Sequence, residues 1–360
     1  MVGKALLEVL FLIIGFVLLL KGADFLVDGA SGIAMKLKVS AFIVGVTVVA
    51  FCTSAPELAV SITAGVTGDG DIIIGNVLGS NIVNVLLILG LSAVITRLPV
   101  ETSTRFIDVP FLIIVSVLFI VLGYIGWSFA WWEGLILVIL YIAFMVYNVL
   151  LARRQHRNPQ PEELPLHEHR RRTRKRARVV QKEGRFTAWY NGMCQHVWFL
   201  IVLTVLGLAC VAVGGIFVVD TAEFLAEDVF NIPSEIVALT IVALGTSLPE
   251  LVTSVVAARK GNVGLATGNI IGSNIANILL IGGVGALASA GSVLSFSYEG
   301  IVSGLVGLAA ALIIFFSSFT KDREAGGRHY IGRVAGIIML CCFVAYYTYL
   351  FLNLYIFQLY

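Results

Sequence analysis

Charge is what this sequence has least of. Asp, Glu, Lys and Arg make up 13% of it, against 59% hydrophobic residues and a mean hydropathy of +0.97. A soluble chain carries about 25% charge to hold its surface in water, so the composition excludes a soluble globular protein. Histidine is scarce too. His156, His167, His169, His196 and His329 all fall in loops or at the edge of an apolar segment. None can be placed beside Ser54 or Ser247, so a hydroxyl nucleophile would lack a base, and an enzyme is not expected. Cysteine is equally sparse. Cys52, Cys194, Cys210, Cys341 and Cys342 lack metal-ligand spacing and read as buried thiols. Nothing calls for a cofactor. A targeting extension is also missing: one lysine precedes an apolar run from Ala5 to Leu20 with a weak cleavage pattern. That run is expected to be a first span that stays, in an inner or plasma membrane.

Long apolar runs are there instead. A span needs about 20 such residues, and ten segments qualify: roughly 5–32, 40–66, 72–96, 107–125, 129–152, 197–219, 233–258, 264–289, 299–318 and 332–355. The expected organisation is a five-span unit over 1–152, a basic loop over 153–196, and a second five-span unit over 197–360. Joining the spans in order puts 22 of the 24 Lys and Arg on one side. They are Lys36, Lys38, Arg97, Arg105, twelve between Arg153 and Arg185, Arg259, Lys260, Lys321, Arg323, Arg328 and Arg333. Asp69, Asp71, Glu223, Glu227 and Asp228 fall on the other side. The basic side is then cytoplasmic and both termini lie outside.

The loop (PQPEELP, then RRRTRKRAR) reads as a solvated orientation anchor, attracted to anionic headgroups. Nucleic-acid binding is not expected of a segment tethered this way. Trp127, Trp131 and Trp132 at one turn, and Tyr346, Tyr347, Tyr349, Tyr355 and Tyr360 near the other end, read as interface anchors. Lys21, Asp24 and Asp28 interrupt the end of the first span, where a Lys–Asp pair within a turn reads as a neutralised structural pair. Asp28 and Asp220 occupy similar places in the two halves (VDGA, VDTA), 192 residues apart.

The sequence also repeats itself. Slid by 193 residues, AFCTSAPEL (50–58) falls on ALGTSLPEL (243–251), and GNVLGSNIVN (75–84) on GNIIGSNIAN (268–277). Nearly half the positions from Ile43 to Ala93 match their partners, which defines an internal repeat. Five spans per unit give the two copies opposite topology, and inverted repeats with a midplane site are a transporter architecture. The expected fold is an all-α membrane protein, ten transmembrane helices in two inverted five-helix repeats.

Each copy sets one glutamate, Glu57 or Glu250, in an apolar run, where a carboxylate is costly and marks function. Pro56 and Pro249 each remove a backbone donor. Carbonyls near Cys52, Thr53, Gly245 and Thr246 then lose partners and must be satisfied or line a cavity. Carbonyl, Ser/Thr hydroxyl and carboxylate oxygens at such a kink are the ligand set of Ca²⁺, and Na⁺ uses it too. In GNxxGSNxxN, Gly75, Gly79, Gly268 and Gly272 let another helix come close. Ser80, Asn81, Asn84, Ser273, Asn274 and Asn277 supply neutral oxygens, while Asn76 and Asn269 read as caps or braces. Two ionised glutamates are neutralised by one Ca²⁺, two Na⁺ or two protons. A site so costly to move empty suits an exchanger. A passive cation channel is the alternative of another class. The expected partners are these ions and the bilayer, with no nucleic acid and no obligatory protein partner.

GTSLPELVTSVVAARKG with GNIIGSNIANILL, and AFCTSAPELAVSITAG with GNVLGSNIVNVLL, resemble the two alpha-repeats of the cation/Ca²⁺ antiporters. That family includes sodium/calcium and proton/calcium exchangers, and the likeness is to the prokaryotic sodium/calcium type across the whole ten-span layout. The resemblance implies an antiporter that extrudes Ca²⁺ for Na⁺ by alternating access, with H⁺ as the alternative coupling ion. It implies Glu57 and Glu250 as the shared carboxylates, and Thr53 and Thr246 as carbonyl donors to Ca²⁺. Carbonyls of Ala50 and Ala243, with hydroxyls of Ser54, Ser247, Ser80 and Ser273, would serve Na⁺, while Asn84 and Asn277 would flank the middle. Residues 5–32 and 197–219 would be the helices that slide. Two positions depart from the pattern. Asn277 stands where sodium-coupled relatives often carry an acid, and Cys52 replaces the glycine kept at Gly245.

Overall fold

The computed structural model describes residues 2–157, 190, 192–226, 230, 243–289, 294–322 and 328–357. The apolar runs fold as helices: α1 Val2–Leu37, α2 Ala41–Thr53, α3 Ala55–Thr67, α4 Gly70–Ile95, α5 Thr104–Trp127 and α6 Trp131–Arg157. After the loop come α7 Val197–Phe224, α8 Ala243–Thr246, α9 Leu248–Arg259, α10 Val263–Ala288, α11 Tyr298–Ser317 and α12 Arg333–Phe357. Among the described residues, eight helices are long and apolar enough to cross a membrane, or nine if the bent pair α2 and α3 counts as one span. The expected span over 233–258 lies partly outside the described residues, which begin there at Ala243. Most of the basic loop, with Glu227 and Asp228, lies outside them as well.

Local sequence places the helix ends. Ser40, Asp69 and Ser297 cap α2, α4 and α11, each accepting from a backbone N–H three residues on, at 3.3, 3.2 and 3.2 Å. Gly68 and Gly261, 193 apart, end α3 and α9 in the left-handed region at φ 79° and 77°.

Helices α1 and α7 run antiparallel in close contact along their length. A Cβ at Gly22 would sit 2.8 Å from the Gly207 carbonyl, and one at Gly207 2.7 Å from that of Gly22. Gly15 and Gly214 meet in the same way one heptad further along. The other helices pack around α10, which is buried on nearly every side, with a core that includes Leu86, Ile88, Leu89, Phe119, Ile275 and Ile278. The outer faces stay apolar, as in Val66, Ile114, Val205 and Val334, because the solvent there is lipid.

Some expectations need correction. The fold is helical but not purely so. Leu98–Pro99 (β1) pairs with Arg328–Ile331 (β5), which also pairs with Lys321–Asp322 (β4), and Ser128–Phe129 (β2) pairs with Leu294–Ser295 (β3). Strands of two to four residues carry too little period to read. Each set joins the first half of the chain to the second. The cysteines are not buried: Cys341 is exposed and the other four are half-buried. Trp127, Trp131 and Trp132 are about half exposed, as anchors should be, but Tyr346 is buried and shares a 2.8 Å hydrogen bond with Ser303. Lys21 is not the partner of the first-span acids. Asp24 and Asp28 pair with Lys260 of the second half, at 3.0 and 2.8 Å.

Candidate cation site

Pro56 and Pro249 act where the sequence puts them. Each sits in the first turn of the helix that follows a break, and the residue at the break leaves helical geometry: Ser54 at φ −83°, ψ 12°, Ser247 at φ −87°, ψ 5°. The first break turns α2 from α3 by 47°. Both glutamates lie in the first turn after their break and are 1% exposed.

The two copies meet there reciprocally. The Ser54 hydroxyl donates to Glu250 Oε1 at 2.9 Å, and the Ser247 hydroxyl to Glu57 Oε1 at 3.4 Å. Each half thus supplies a donor to the other half's carboxylate. Ser273 on α10 also approaches Glu250 Oε1, at 3.5 Å. Ser80 and Asn84 on α4, and Asn277 on α10, are buried, and Asn84 and Asn277 each fall within a π-helical turn, Val83–Leu89 and Asn277–Ile281. Such turns widen a helix and recur at functional sites.

Thr53 is buried but points its hydroxyl to Asn269 Oδ1 at 3.2 Å and to the Ala50 carbonyl at 3.3 Å. The Ala50 carbonyl also accepts from Ser54 N at 3.1 Å, so a cation there would share an oxygen already in use. Thr246 is half-buried, and Ala243 opens α8 beside residues outside the described set.

Braces hold the broken helices. Asn76 Nδ2 donates to the Glu57 carbonyl at 2.8 Å and to Ser61 Oγ at 2.9 Å, and Asn269 Nδ2 donates to Ser254 Oγ at 3.0 Å. The second bond repeats the one to Ser61 at the same offset of 193, as the brace reading expects. Ser61 and Ser254 escaped the sequence reading although the repeat marks them. Asn81 and Asn274 are expected to supply oxygens; Asn81 instead ties the halves, its Nδ2 donating to the Asn274 backbone carbonyl at 3.3 Å and its Oδ1 accepting from Asn277 Nδ2 at 3.0 Å, which leaves Asn274 Oδ1 over. The second bond fixes which end of the Asn277 amide is left over. Gly268 and Gly272 permit the close crossing with α2 that was expected. At Gly75 and Gly79 a Cβ would meet nothing within 4 Å among the described residues.

What remains is a set of acceptors without donors. Glu57 Oε2, Glu250 Oε2, Asn84 Oδ1, Asn274 Oδ1 and Asn277 Oδ1 are buried with no hydrogen-bond partner among the described residues. Buried polar atoms are rarely left so. A carboxylate cannot donate, and these amide oxygens cannot either. Such acceptors call for a donor or a positive centre, and carboxylate, amide and hydroxyl oxygens fit a hard cation. Ser54→Ala is expected to weaken cation binding about tenfold by removing a bond to a charged acceptor. Ser247→Ala should cost less, since its bond is longer; equal losses by isothermal titration would contradict this ranking.

The whole chain resembles known proteins. The family model described as "Sodium/calcium exchanger protein" matches residues 7–150 and 199–352. A sodium/calcium exchanger of Methanosarcina acetivorans, MaX1, is 34% identical over 95% of this chain and 98% of its own. The inner membrane protein YrbG of Escherichia coli is 33% identical over 89% and 93%. The solved structure of the sodium–calcium exchanger NCX_Mj, soaked with 2.5 mM Na⁺ and 0.1 mM Ca²⁺, superposes with a TM-score of 0.74 at 31% identity, covering 94% of this chain and 97% of that one.

Proposed function

This chain belongs to the sodium/calcium exchanger protein family, integral membrane transporters of many spans, and from that premise we propose that it extrudes Ca²⁺ in exchange for Na⁺. The observation that carries the reading is the reciprocal pair of bonds, Ser54 to Glu250 and Ser247 to Glu57, on two buried carboxylates whose Oε2 atoms have no donor among the described residues. Two carboxylates bring two negative charges. One Ca²⁺ or two Na⁺ neutralise them equally well, so the ions compete for one place and each drives the other out. Leaving both charges bare in the interior is costly, so the empty site resists crossing. That resistance is what makes flux obligatorily coupled, which a channel does not need.

Opposite topology of the two halves belongs to the same reading, and the strand pairings fit it. β1 follows α4 and pairs into the second half, and β3 follows α10, the repeat mate of α4, and pairs into the first. The proposed layout is ten spans in two inverted repeats, with termini outside and the basic loop cytoplasmic. In each transport cycle α1 and α7 would move as one body against the rest, since their glycine seam binds them to each other.

Proteoliposomes loaded with Na⁺ are expected to accumulate radioactive Ca²⁺ from a Na⁺-free bath. Uptake driven only by a proton gradient would keep the two glutamates and replace the coupling ion, a result that amide Asn277 accommodates. Equilibration without accumulation would mean a channel and defeat the proposal.

A further inference from the structure

On the cytoplasmic side of the proposed layout, α1 is tied to α9 by charge. Lys260 Nζ lies 3.0 Å from Asp24 Oδ1 and 2.8 Å from Asp28 Oδ1, and it donates to the Asp24 carbonyl at 3.0 Å. The tie is only partly in water: the side chains of Lys260, Asp24 and Asp28 are 28%, 40% and 37% exposed. Tyr190, just before α7, donates to Asp28 Oδ2 at 3.4 Å. Burial, and then the nearby Asp28 charge, hold the Tyr190 hydroxyl well above its usual pKa, so it stays a donor. Directly beneath lies a separate apolar cluster where Leu26, Val27 and Ala30 of α1 meet Ala257, Ala258 and Leu265. The lysine therefore caps a dry plug between α1 and the body of the protein.

Among the described residues the repeat shows no such tie at its other end. The 193-residue offset puts Thr67 where Lys260 would be, and Thr67 is exposed with its hydroxyl bonded within α3, to the carbonyls of Thr63 and Ala64. The mate of Asp28 is Asp220, which is exposed. The carboxylate recurs in the second half but the cation does not. A pseudo-symmetric transporter with one bolted end is biased in which face it keeps shut.

We infer that Lys260, held by Asp24 and Asp28, is a positioning residue that keeps the cytoplasmic path closed and sets the sidedness of exchange. The inference rests on the exchange reading above. Breaking the tie raises the share of molecules open to the cytoplasm.

The test reads accessibility. The five native cysteines are replaced by alanine and Ala257→Cys, in the fully buried plug, is introduced as reporter. A membrane-impermeant maleimide is applied from the cytoplasmic face of inside-out vesicles. Lys260→Gln and, independently, Asp28→Asn are each expected to speed labelling about three- to tenfold, the population shift a partly exposed charge tie supports. Lys260→Arg and the swapped pair Lys260→Asp with Asp28→Lys should return labelling to its slow rate, which a general loosening of the fold would not do. Unchanged labelling in both single variants overturns the inference. Dependence of labelling on Ca²⁺ in the Lys260 parent tests the exchange reading separately. Faster labelling in both variants with no response to Ca²⁺ upholds the tie and removes that reading.

Discussion

Replacing Glu57 or Glu250 by Gln is expected to abolish Ca²⁺ accumulation while leaving the protein folded. Gln keeps the shape and an acceptor oxygen for the serine that reaches across from the other half, so the hydrogen bonds from Ser247 and Ser54 survive. What goes is one of the two charges. A divalent cation in the remaining site would carry uncompensated charge in the interior. Breaking a buried ionic set in this way costs about 3–5 kcal/mol, roughly a hundredfold or more in affinity. Melting in detergent separates the two effects. Without Ca²⁺ the variants should unfold at or above the parental temperature, since a buried charge has been removed. Adding Ca²⁺ should raise the parental midpoint and leave the variants where they were. Accumulation retained in both variants would sink the site assignment.

Gly272→Val should be nearly as damaging for a different reason. A Cβ at Gly272 would lie 2.6 Å from the Val46 carbonyl, 2.7 Å from Val46 Cα and 2.8 Å from Ala50 Cβ. Two of those atoms are backbone, so α2 itself must retreat from α10. The expected stability loss is about 1–3 kcal/mol or more for the strain alone. The functional loss should exceed it, because α2 carries Thr53 and leads into Ser54, while Ser273 follows Gly272 directly. Gly307→Ala is the control, since a Cβ there meets only Ile82 Cγ1 at 3.9 Å. Equal melting and transport for the two variants would show that the crossing of α2 and α10 does not set the site.

Much of this site was legible because it is written twice. The repeat singles out Glu57 and Glu250, the prolines that break their helices, and the asparagines that brace the breaks. It also held Ser61 and Ser254, each hidden one turn beyond the stronger signal of its glutamate. What the repeat cannot show is which group in one copy meets which in the other. The bonds Ser54 to Glu250 and Asn277 to Asn81 each cross 196 residues, and nothing local encodes them. The partner of Asp24 and Asp28 was misread for the same reason. Lys21 is near in sequence, but Lys260 is brought in by the packing of α9 on α1, and tertiary geometry outranks adjacency. Tyr346 was placed by composition at an interface, yet its neighbour across the helices, Ser303, draws it inward.

A duplicated gene ordinarily gains a spare. Here the nearest hydroxyl to each carboxylate comes from the opposite copy, so each copy depends on the other. A lesion at Ser54 is felt at Glu250, and one at Ser247 at Glu57. Duplication has produced interdependence where it might have produced redundancy, and the two halves share a single mutational fate.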